Sequence, residues 1–136
     1  MNTNSHIQSR HVSRVIDAAP DDVYDVLADP GNLPEWARGL ASSEVRRDGA
    51  DLLVDSPMGE VRVHFVPRNP YRIADHDVTL PSGTTVNNPL RVLAHPNGSE
   101  VVFTVRQIEL TDDEFERDCA AVADDLERLS DMVERR

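Results

Sequence analysis

Apolar and polar positions change their period twice along the chain. From His6 to Asp17 the apolar residues Ile7, Val12, Val15 and Ile16 alternate loosely with polar ones, which predicts a strand. Ala18-Ala19-Pro20-Asp21-Asp22 then opens a helix. Pro in the first turn costs no hydrogen bond, and the two Asp sit at the positive end of the helix dipole. Val23, Val26 and Leu27 make one apolar stripe at spacings of three and four, with Tyr24 beside it. Asp29-Pro30-Gly31 stops this helix. A second short helix, over roughly Asn32 to Arg38, holds the only tryptophan, Trp36.

From Leu40 to Leu110 the period becomes two. Val45 leads to Arg47-Asp48-Gly49-Ala50, where Asp-Gly is a strong hairpin signal. Leu52 to Val54 leads to Ser56-Pro57-Met58-Gly59, and Val61, Val63 and Phe65 alternate with Arg62 and His64 before Pro67-Arg68-Asn69-Pro70. A strand Tyr71 to Leu80 ends at Pro81-Ser82-Gly83. Val86, Asn88, Leu90 and Val92 alternate up to His95-Pro96-Asn97-Gly98, and Val101 to Leu110 is the last strand. Six strands joined by five short turns read as an antiparallel meander.

The period then turns helical. Thr111 followed by Glu114 is a capping box, and Phe115, Cys119, Val122, Leu126, Leu129 and Val133 form one continuous stripe. A helix from Thr111 to Arg136 would run about 38 Å at 1.5 Å per residue, longer than the domain is wide, so it must lie across the sheet. The predicted architecture is α+β: a seven-stranded antiparallel sheet curled around a long C-terminal helix, with two short helices between strands 1 and 2. Residues 1–136 read as one domain, without repeat or linker. A curled sheet and a straight helix do not match along their length, and the mismatch can leave a cavity.

Composition narrows the function. The 136 residues carry 25 acidic and 14 basic side chains, net -11, every basic residue is Arg, and aromatics make up 4%. Binding of nucleic acid needs a basic footprint and stacking aromatics, so it is not expected. Nor is insertion into a membrane, since no apolar run is long enough. The polar start, Met1 to Arg10, lacks the apolar stretch of a signal peptide, and a soluble cytoplasmic protein is expected. Cys119, the single cysteine, forms no internal disulfide. The charge is uneven. Residues 1–37 hold 2 basic and 6 acidic groups, residues 38–106 hold 8 and 8, and residues 107–136 hold 4 and 11. The acidity therefore belongs to the solvent faces of the helices, and the ligand of an uncharged interior should be neutral or weakly polar.

Few residues carry candidate chemistry. Alternation places His76 on a face with Ala74, Val78 and Leu80, and Asn88 on a face with Val86, Leu90 and Val92. Both are polar groups among apolar ones, and a buried polar group must find a partner. His76 is thus the candidate acid–base residue, to be weighed against a structural histidine bonded to a neighbour or one on the solvent face of a strand. Asp75-His76-Asp77 does not converge on a metal, because neighbours in a strand point to opposite faces. His6 and His11 have the wrong spacing for a site. Trp36 is either a pocket rim or a core anchor for the short helices. Tyr24 and Tyr71 offer hydroxyls or merely pack, and Cys119 is a buried thiol on the helix stripe. Arg91 and Arg106 fall on outer faces, where cross-strand ion pairs explain them, and Arg46-Arg47 reads as solvated. No nucleophile elbow, phosphate loop or metalloprotease motif is present, and no cofactor or metal is implied.

The order of elements resembles the START-like helix-grip (SRPBCC) superfamily, which includes the birch-pollen allergens and bacterial polyketide cyclases and dehydrases. The resemblance rests on Val12 to Asp29 (VSRVIDAAPDDVYDVLAD), Leu33-Pro34-Glu35-Trp36, Ala94 to Leu110 with its Asn-Gly turn and V-V-F-T-V, and Asp113 to Glu116 through Asp125-Leu126 to Leu129. It implies a pocket between sheet and C-terminal helix for a hydrophobic small molecule, lipid or polyketide, with no single catalytic signature. On this chain the pocket would be lined from the sheet by Phe65, His76, Val78, Asn88, Leu90 and Phe103. Trp36 and the helix residues Phe115, Cys119 and Val122 would complete it. The leading expectation is binding of such a ligand by a monomer or homodimer. The alternatives are a cyclase or dehydratase using the same pocket, and an interaction module with a filled core.

Overall fold

A computed structural model describes residues 7–38, 45–56 and 59–135. The predicted start of the period-two region at Leu40 and the Pro57-Met58 turn lie outside these residues. Strand β1 (Ser9–Ile16) leads to helix α1 (Pro20–Leu27). Pro20 stands in the first turn with Asp21 and Asp22, as the dipole favours, although Ala19 provides no side-chain cap. A 3-10 turn (Pro30–Asn32) follows, in which Gly31 N–H donates to Asp29 Oδ1 at 2.9 Å. It feeds the single-turn helix α2 (Leu33–Trp36).

Seven further strands follow: β2 (Val45–Asp48), β3 (Asp51–Ser56), β4 (Gly59–Phe65), β5 (His76–Thr79), β6 (Thr85–Asn88), β7 (Leu90–His95) and β8 (Gly98–Arg106). Gly49, at a φ of 64°, takes the left-handed turn position that the Asp-Gly signal requires between β2 and β3.

Among the described residues eight strands thus replace the seven expected, and they form two sheets, β1-β8-β7 and β2-β3-β4-β5-β6. The difference has one cause. Pro89 interrupts the predicted strand 86–92, because it has no N–H for the ladder and fixes its own φ. β6 pairs with β5, β7 pairs with β8, and the His76↔Asn88 register continues past the break as the isolated bridge Ile73↔Arg91. The two strands occupy one lane of a curved surface.

The predicted strand from Tyr71 is also shorter than expected. Asn69 organises a loop there, its Oδ1 accepting from the backbone N–H groups of Tyr71 and Ile73, and Arg72 adopts a φ of 58°. The β7–β8 turn is equally constrained. Gly98 has a φ of 128°, and a Cβ there would sit 2.6 Å from the Ile16 carbonyl oxygen. Only glycine lets this turn pack against the corner between β1 and α1.

Helix α3 (Asp112–Glu134) spans about 35 Å and closes with the expected box: Glu114 N–H donates to Thr111 Oγ1, and Thr111 N–H to Glu114 Oε1. Its stripe packs on β1, β8, α1 and α2. Trp36, Phe115, Ile16, Leu27, Leu90 and Leu126 are the largest side chains fully buried there.

Candidate functional site

The helix leans on the β1–β8 side of the sheet, and the sheet curves away from it on the β5–β6 side. A cavity of about 390 Å³ fills the gap. Its walls come from α2, β5, β6, β8, the β8–α3 connection and the middle of α3. Most of the lining is apolar, with Leu33, Val78, Leu80, Val86, Phe103 and Val122 as representatives. This is the size and character of a small-molecule pocket.

His76 is the first residue of β5 and is 3% exposed. Period-two geometry turns it inward while Asp75 and Asp77 turn outward. Asp75 accepts from Leu90 N–H and pairs with Arg91 at 2.9 Å, and Asp77 accepts from Asn87 Nδ2. The His76 ring stacks on Phe65 with centroids 4.7 Å apart and meets the edge of Phe103 at 5.7 Å. Its Nδ1 lies 3.0 Å from the Ala74 carbonyl oxygen. A carbonyl only accepts, so Nδ1 must carry the proton. Burial pushes the imidazole pKa below its ordinary value of 6.5, against a smaller upward pull from the Ala74 bond and from Asp75 and Asp77. The ring is therefore neutral near pH 7, and Nε2 is a bare acceptor with no protein partner among the described residues. Asn88 stands directly across the β5–β6 ladder from His76 and also lines the cavity. Its amide has no side-chain partner among the described residues either.

Trp36 closes the α2 end. It is 1% exposed, and its Nε1–H is a buried donor without a hydrogen-bond partner. Such an orphan is rare in folded proteins. Arg128 of α3 reaches the Trp36 carbonyl oxygen at 3.4 Å and pairs with Asp125 at 2.5 Å, so α2 is tied to the helix.

The mouth is charged. Arg106 and Arg117 share the lining with Glu109, Glu114 and Asp118, and the buried Asp125, also on the lining, pairs with Arg128. Glu109, at a φ of 58°, accepts from the hydroxyls of Ser82 and Thr84, which ties the β5–β6 turn to the β8–α3 connection. Desolvation pushes the Asp118 carboxyl up. A second depression of about 400 Å³, on the α1 side, is lined by Asp17, Asp22, Asp25 and Glu134 and has little apolar wall.

The structure brings six of the ten expected residues to the cavity wall: Trp36, His76, Val78, Asn88, Phe103 and Val122. Phe65 lies behind His76 as its stacking partner. Leu90, Phe115 and Cys119 are packed in the core beneath α3. Arg10, paired with Glu116, covers the Phe115 ring at 5.2 Å, on the β1 side of the helix. That side is closed because β1 and α3 are in direct contact.

Arg91 makes the expected cross-strand pair. Arg106 does not: it lines the cavity mouth and donates to Ser9 Oγ at 2.9 Å. It is the last residue of β8 and pairs in register with Ser9 of β1. Arg46 joins Glu60 and Asp55. Tyr24 is buried, and its hydroxyl oxygen accepts from Asn69 N–H, whereas Tyr71 is exposed. His11 meets Thr104 Oγ1 at 2.8 Å. Among the described residues no cluster is suited to a metal ion. Sequence reasoning missed the rim, Glu109, Arg117 and Asp118, because polar residues near a helix start read as solvated. It missed Asp125 as a site residue although Asp125 falls three positions after Val122 on the apolar stripe.

A curved antiparallel sheet gripping a long C-terminal helix over an apolar cavity defines a helix-grip protein. The family described as polyketide cyclase/dehydrase and lipid transport matches residues 8–134, so the chain belongs to it, within the SRPBCC superfamily. Solved structures agree on the fold. Protein CV1439 from Chromobacterium violaceum superposes with a TM-score of 0.67 at 15% identity, over 93% of this chain and 97% of that one. Ara h 8.0201 gives 0.67 at 11% identity, over 96% and 100%. DynU16, a putative protein in the dynemicin biosynthetic locus, gives 0.70 at 18% identity, over 93% of this chain and 47% of that one. No curated protein matches the sequence. No helix among the described residues is long and apolar enough to cross a membrane.

Proposed function

We propose that this protein binds a hydrophobic small molecule or lipid in the cavity between the sheet and α3. The observation that carries the reading is the cavity itself. About 390 Å³ of space lies between helix and sheet behind a mostly apolar wall. Burial of ligand in it is worth about 25 cal/mol per Å² of apolar surface. Family membership, whose description includes lipid transport, supports the same reading. A ligand-free module would be expected to pack this space.

The unpartnered Nε2 of neutral His76 favours one second reading. A cyclase or dehydratase would use His76 as a base on a ligand held in the same cavity. Native mass spectrometry of protein purified from cells tests the first reading. A retained small molecule, or a thermal shift with fatty alcohols, sterols or aromatic polyketides, is the expected result. A protein that stays empty and shows no shift with any of these overturns it.

A further inference from the structure

The polar groups of the cavity are few, and their hydrogen-bonding roles are set. His76 spends its only proton on Ala74, so Nε2 offers a lone pair. The ring packs between Phe65 and Phe103, with Nδ1 on the Ala74 side. Asn88, opposite it in the ladder, supplies an amide that both donates and accepts. A ligand oxygen in contact with Nε2 must bring its own proton. A carboxylate or phosphate there would set lone pair against lone pair in a water-poor space. The lining also carries Glu109, Glu114 and Asp118 beside Arg106 and Arg117. Arg106 is already bonded to Ser9, and Glu114 lies close enough to Arg117 to feel its charge.

We infer that the cavity selects an uncharged apolar molecule bearing a hydroxyl group, a phenol, enol or alcohol, whose proton is donated to His76 Nε2 beside the Asn88 amide. At that contact a hydroxyl is preferred over a carboxylate, which brings no proton. The inference rests on the binding function proposed above, and it adds the chemical sense of the contact.

Three probes with one carbon skeleton test it: 2-hydroxyphenanthrene, 2-methoxyphenanthrene and phenanthrene-2-carboxylate, titrated into the full chain by calorimetry near neutral pH. The methyl ether keeps the oxygen and loses the donor. The hydroxy compound should bind about tenfold more tightly than the ether, the worth of one buried hydrogen bond, and the carboxylate should bind most weakly. His76→Phe keeps an aromatic ring on Phe65 and removes the acceptor. It should retain the ether and bring hydroxy and ether to within about twofold of each other. Equal affinities for all three in the native protein, or tightest binding of the carboxylate, overturn the selectivity while leaving ligand binding intact. No binding of any probe counts against the binding function itself, and the selectivity falls with it. The comparison in the native protein decides even if His76→Phe does not fold.

Discussion

His76 makes the fold pH-dependent in a definite direction. Burial holds its folded-state pKa below 6.5, so the unfolded chain takes up a proton more readily than the native one. The stability that this residue contributes is complete above pH 6.5 and is lost as pH falls toward the folded-state value. The denaturation midpoint should therefore drop between about pH 7 and pH 5, and His76→Phe should flatten part of that slope. Urea titrations of both proteins across this range measure the difference, which isolates His76 from the other histidines. Identical slopes would mean that the imidazole is not buried as a neutral group. Alternation set His76 and Asn88 among apolar positions and left a solvent-facing histidine open. The tautomer was not readable from it, because it depends on a carbonyl two residues back being turned toward the ring.

The elements follow local rules wherever a local signal exists. Thr111 and Glu114 begin α3 where their spacing says they should, and both reciprocal bonds form. Thr111→Ala removes one of them. It should cost about 1 kcal/mol of stability, read as a lower urea midpoint at unchanged slope, while Thr111→Ser should restore most of it. A Thr111→Ala midpoint equal to the native one would show that the box contributes nothing. Pro89 is the instructive contrast. It was present in the predicted strand 86–92, yet alternation on both sides of it hid the break. Its consequence appears only when β6 and β7 turn to different partners, β5 and β8. Arg106 shows the same limit, since the facing of a strand's last residue is set by how the sheet curls.

In the whole molecule, the long helix seals one half of the interior and leaves the other half open. Cys119 sits in the sealed half, buried against the sheet, and burial pushes its thiol pKa up. Native protein should accordingly react with 5,5′-dithiobis(2-nitrobenzoate) on the order of a hundredfold more slowly than protein unfolded in guanidinium chloride. Similar rates in both would place the thiol at an open surface and contradict this division of the interior. The net charge of -11 has a place in the same picture. It concentrates on the outward face of α3, whose inward face carries the apolar stripe, so acidity and core burial share one element.

Period, caps and turn residues are properties of neighbouring residues, and they were sufficient for the α+β class, the long helix and its orientation across a curled antiparallel sheet. Alternation also put His76, Asn88 and Phe103 among the apolar positions of their strands. The division of the interior was beyond them. Phe115 and Cys119 have the same stripe character as Val122, yet Val122 lines the cavity and the other two do not. What separates them is the distance between helix and sheet at each turn of α3. That distance comes from the curvature of strands far apart in the chain, the break at Pro89, and the tie from Arg128 to Trp36. Such quantities exist only once the whole chain has closed on itself.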